Sequence, residues 1–72
     1  MTDLHLTVKT KRGRESRYYI HQRDPKQPRP WRAVSLTTGQ ELGSFKTLEN
    51  AERSLRSFIA DMGDTITAEK RA

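Results

Sequence analysis

The sequence predicts an α+β fold, a small antiparallel sheet of three to four strands packed by one C-terminal helix. Three observations carry this. Short runs in which apolar and polar residues alternate fill the stretch from Leu4 to Phe45, the period of half-buried strands. One stripe at helical spacing follows between Leu48 and Met62. Glycines and prolines punctuate the runs where a chain must turn. With 72 residues, 32% of them hydrophobic, there is material for one core, and nearly every large apolar side chain is needed to hold it.

The elements follow in order. Leu4, Leu6 and Val8 alternate with His5, Thr7 and Lys9 and read as a first strand. Gly13, within Lys11-Arg12-Gly13-Arg14, can supply the positive φ of a tight hairpin. Arg17 to Gln22, aromatic and β-branched at its centre, is the returning strand. Three prolines between Asp24 and Pro30 cannot sit in a ladder, so that stretch is expected to be an exposed, partly polyproline-II loop. Trp31 to Leu36 and Glu41 to Phe45 read as a third and fourth strand about a turn at Gly39. Thr47 is placed to cap a helix carrying Leu48, Ala51, Leu55, Phe58, Ile59 and Met62 on one side, and Gly63 to stop it. Glu49–Arg53 and Glu52–Arg56 are i,i+4 pairs on its exposed side. Residues 1–63 thus form one β-β-β-β-α domain, and 64–72 are expected to be a flexible tail.

The charge is uneven. The net charge is +5, yet Lys9 to Arg32 holds nine basic residues against only Glu15 and Asp24, while Ala33 to Ala72 is close to neutral. A positive front half points to a polyanionic or acidic partner met by one face. Without cysteine, disulfides, thiolate zinc sites and cysteine nucleophiles are excluded. No apolar run approaches the ~20 residues that cross a bilayer, and the opening Met1-Thr2-Asp3 is not a basic-then-apolar leader. A cytoplasmic protein with no membrane partner is expected.

Catalysis finds no foothold. His5 and His21 are the only histidines, no acidic residue stands beside them at a metal-motif spacing, and no nucleophile elbow or phosphate-cradling loop occurs. A non-enzymatic protein with no cofactor, metal or small-molecule substrate is expected. Pro25-Lys26-Gln27-Pro28 matches P-x-x-P, but the pattern is short and reads as an ordinary loop. Phe45 and Trp31 are assigned to the core. Tyr19, on the opposite parity from Tyr18 and Ile20, is assigned to the open face of the sheet. The candidate binding residues are Lys9, Lys11, Arg12, Arg14, Arg17, Tyr19, Arg23 and Arg32, gathered about the first hairpin. Such cations suit phosphates through counterion release, and the aromatics suit stacking. Cations that only solubilise a sheet edge are the structural alternative.

Two resemblances accompany these residues. Trp31-Arg32-Ala33-Val34, the turn at Gly39, and Phe45-Lys46-Thr47 leading into the helix at Ala51 resemble the arm-type DNA-binding domain of phage integrases. That resemblance implies a three-stranded sheet backed by a helix and double-stranded DNA as partner. The additional first strand and the proline-rich stretch depart from it. In size, in the opening Met1-Thr2-Asp3-Leu4, in basic character and in layout, the whole chain resembles small phage-encoded transcription regulators that bind host RNA polymerase. This second resemblance implies a bacterial RNA polymerase partner and inhibited or redirected initiation in a bacterial cytoplasm. It carries over no residue roles. A chain complete at 72 residues is expected to occupy a site on something larger, which places the polymerase expectation first and duplex DNA second.

Overall fold

The computed structural model describes residues 3–71. The elements run β1 (Leu4–Lys9), β2 (Glu15–Gln22), β3 (Trp31–Ser35), β4 (Glu41–Phe45), α1 (Leu48–Asp61) and β5 (Thr65–Arg71). They build a five-stranded antiparallel sheet in the order β4-β3-β2-β1-β5, with α1 across one face. The α+β class stands, with one strand more than expected. Within the 64–72 stretch assigned to a flexible tail, Thr65–Arg71 form that strand along the outer edge of β1, and Ala72 lies outside the described residues.

Alternation decides which side chains enter the core. Leu4, Leu6 and Val8 of β1, Tyr18 and Ile20 of β2, and Ala33 of β3 are buried against Ala51, Leu55 and Ile59 of α1. Trp31, Leu42, Phe45, Leu48 and Ile66 close the margins, so Trp31 and Phe45, assigned to the core, pack against it only partly buried. A bulge between Ala33 and Val34 shifts the β3–β4 register, and Leu42 packs with Ala33 and Phe45 on the helix side. Phe58 and Met62, assigned to the helix stripe, lie at its solvent margin. Phe58 still meets Tyr18 edge-on at 6.4 Å.

The turns use the predicted residues. Gly13, Gly39 and Gly63 all have positive φ, the region only glycine enters freely. The Thr47 hydroxyl accepts from the Asn50 amide at 3.1 Å, satisfying one of the helix's orphan donors. The proline-rich stretch is a loop exposed from Asp24 to Arg29, as expected, and its first half forms a turn. Gln27 N–H donates to Asp24 O in a tight turn, Arg23 N–H donates to Pro30 O, and Pro30 is buried.

β5 is held from two sides. Ile66 pairs with Val8 and packs on the core. Glu69 and Arg71 turn to the helix face, where Arg56 bonds Glu69 and Arg71 bonds Glu52 through both guanidinium ends. Arg71, with Arg56, holds the Glu52 carboxyl below its ordinary pKa.

Candidate binding surface

One face of the sheet is covered by α1, and no other described element packs on the opposite one. The registers align a row across all five strands of this open face: Lys70, His5, Tyr19, Val34 and Glu41. Beside it runs a second row of Ala68, Thr7 and Arg17. Leu36, half exposed, continues that row, its N–H donating to Arg17 O. Toward the hairpin lie Thr65, Lys9 and Glu15. At the other end lie His21, Arg32 and Ser44.

Three rings stack on this face. Tyr19 lies between His5, at 4.4 Å with the rings tilted by 40°, and His21, at 5.0 Å with only 11° between planes. The Tyr19 hydroxyl donates to Asp3 Oδ2 at 2.9 Å. That bond, with some burial and the Asp3 charge, raises the phenol above its ordinary pKa. Next to His5 the face dips into a shallow depression of about 510 Å³. His5, Thr7, Arg17, Ala68 and Lys70 stand around it, and the intervening residues of each strand, Leu6, Tyr18 and Glu69, form its floor. Arg17 and Lys70 are exposed. Arg17 has Glu15 at 3.7 Å, both largely in solvent, a pair of little strength.

The eight candidate residues do not form one patch. Lys9, Arg17 and Tyr19 share the open face with Arg32. Arg32, however, is engaged: it donates to Glu41 at 3.0 Å and to Gln27 at 3.4 Å, and its side chain is 22% exposed. The pair ties β3 to β4. Lys11, Arg12 and Arg14 occupy the hairpin tip, which leans over the end of α1 and shares an open groove with Thr10, Asp61, Met62 and Asp64. There Lys11 N–H donates to Asp64 Oδ1 at 3.3 Å and the Lys11 stem crosses Gly63. Arg23 follows β2 at the other end of the sheet, about 30 Å from Arg14 at the usual strand rise.

Sequence reasoning missed His5, His21, Ala68 and Lys70 as members of the surface. The outward parity of His5 and His21 was readable beside Tyr19. Lys70 and Ala68 were not, because they depend on β5. Among the described residues no three His, Cys, Asp or Glu side chains are grouped to hold a metal ion, and no helix is long and apolar enough to cross a membrane. Comparison with protein-family models, curated proteins and solved structures finds no match for this chain.

Proposed function

We propose that this chain is a non-enzymatic, phage-type transcription regulator that binds bacterial RNA polymerase and inhibits or redirects initiation in the bacterial cytoplasm. The observation that carries a protein partner is the groove at the hairpin tip. Lys11, Arg12 and Arg14 stand there with Asp61 and Asp64, and Met62 is exposed between them. Two carboxylates repel a phosphate backbone, whereas mixed charge around an exposed methionine suits a protein surface of complementary charge. The choice of polymerase rests on the resemblance of the whole chain to phage regulators.

The test uses purified bacterial RNA polymerase, core and holoenzyme, immobilised and exposed to this protein in the absence of nucleic acid. Saturable binding, lost in the Arg12→Glu/Arg14→Glu double variant, with altered promoter-dependent initiation, is the expected result. No binding to either form of the enzyme would remove the proposal.

Duplex DNA is the second reading, and one observation favours it. β2, β3 and β4 with α1 behind them reproduce the three-stranded, helix-backed layout that the arm-type resemblance implies. Against it, five strands span about 19 Å between outer strands, more than the ~12 Å of a major groove. A steep fall of duplex affinity with added salt, carried by Lys9 and Arg17, is its expected signature.

A further inference from the structure

The open face holds a second surface, separate from the hairpin-tip groove, with chemistry of its own. We propose that the depression between β5, β1 and β2 binds single-stranded nucleic acid. A base stacks there on His5, extending the His21–Tyr19–His5 row, and the adjoining phosphates pair with Arg17 and Lys70.

Four observations converge. Of the three stacked rings only His5 lines the depression, so the row ends where a fourth ring would enter. Beyond His5 the sheet carries Thr7 and Ala68, side chains small enough to leave room for a flat group. Arg17 and Lys70 flank that room on different strands, both exposed. The one carboxylate whose residue lines the depression, Glu69, is turned to the helix face and engaged by Arg56 and Arg71. The other carboxylates of this face are engaged too, Asp3 by Tyr19 and Glu41 by Arg32. Glu15 stands near Arg17 in an exposed pair that a phosphate can displace.

A flat aromatic end between two exposed cations is the arrangement that holds unpaired bases on a sheet. Bases in a duplex already have both faces stacked, and the sheet is too broad for the groove. A free nucleotide is a poorer occupant, because small-molecule sites enclose most of their ligand and this depression is open. Tyr19, held by Asp3, packs beside His5 at 4.4 Å. The proposal stands independently of the polymerase reading, since it concerns a different surface and a different ligand.

The test is binding of short oligo-dT and oligo-rU, labelled at one end, to the full chain at low salt. Amide shifts are mapped in parallel. Saturable binding with shifts at His5, Thr7, Arg17, Ala68 and Lys70 is expected, and the two probes separate a DNA strand from an RNA strand. His5→Ala is expected to weaken binding by about fivefold to a hundredfold, the loss of one stacking ring, while His5→Phe restores it. Arg17→Gln and Lys70→Gln should each flatten the salt dependence. His5 is exposed, so the variant should fold, and an unchanged melting temperature checks this. Several results would overturn the idea: no binding of either probe, equal affinity for a duplex or a mononucleotide, or shifts confined to Lys11–Arg14. A His5→Ala protein that binds as the parent does would show attraction by charge alone and equally end it.

Discussion

Tyr18 and Tyr19 are neighbours with opposite duties. Tyr18 is buried beneath Phe58, while Tyr19 lies half-exposed between two imidazoles. Strand parity alone separates them, and the alternation of Leu4, Leu6 and Val8 was enough to assign β1 in the same way. What parity could not show is that His5 meets Tyr19, since that needs the β1–β2 register. Two outcomes belong at this scale. Leu6→Ala empties a fully buried site and should cost about 2–5 kcal/mol. That is a large part of the roughly 4–10 kcal/mol expected for a domain of this size, and a denaturant titration measures it. Asp3→Asn weakens the hydrogen bond, and removes the charge, by which Asp3 holds the Tyr19 proton. The Tyr19 phenol should then ionise at lower pH, read from its tyrosinate absorbance against a Tyr19→Phe control.

At the scale of elements, the helix and the first four strands were legible because each carries its own signal. Thr47, the apolar stripe and Gly63 mark α1, and the glycine turns mark the strand ends. Gly63→Ala should destabilise by about 1–2 kcal/mol, the cost of a side chain in left-handed backbone, because the exposed Lys11 stem that a Cβ there would meet can swing aside. Thermal unfolding measures it, and Lys11→Ala in the same background should change the loss little. β5 was not legible as a strand. Thr65-Ile66-Thr67 has β character, but Ala68-Glu69-Lys70-Arg71 brings no second apolar residue to the core. The strand forms because β1 offers an unpaired edge and α1 offers Glu52 and Arg56 to Glu69 and Arg71. Because folding lowers the Glu52 pKa, its contribution is present above the unfolded glutamate value of about 4.3. It is lost as pH falls through the lower folded value. Glu52→Gln should therefore reduce stability at neutral pH and flatten its loss in acid, seen in melting temperatures taken across that range.

For the whole molecule, the excess of positive charge between Lys9 and Arg32 is divided among places that do not meet. The hairpin tip shares its groove with Asp61 and Asp64, Arg32 is spent on Glu41, and Arg23 sits at the far end of the sheet. The open face keeps Lys9 and Arg17 and gains Lys70 from β5. Tip and face should therefore be separable by mutation. Arg12→Glu/Arg14→Glu is expected to abolish polymerase binding and to affect strand binding far less at ~0.15 M salt, where exposed charges more than about 8 Å apart are largely screened. His5→Ala should do the reverse. Parallel titrations of both variants against both ligands measure this.

Local chemistry in the sequence determined the four strands, the capped helix, the inward set of apolar residues and the outward Tyr19, because period, turn residues and caps act over a few positions. Tertiary structure alone decided the rest. Strand pairing brought His5 beside Tyr19, and the docking of the last seven described residues placed Lys70 and Ala68 at the depression. The hairpin's lean over the helix end turned a bare cationic tip into a mixed-charge groove. Such juxtapositions depend on register and on edges left unpaired elsewhere in the chain, and no local stretch of residues encodes either.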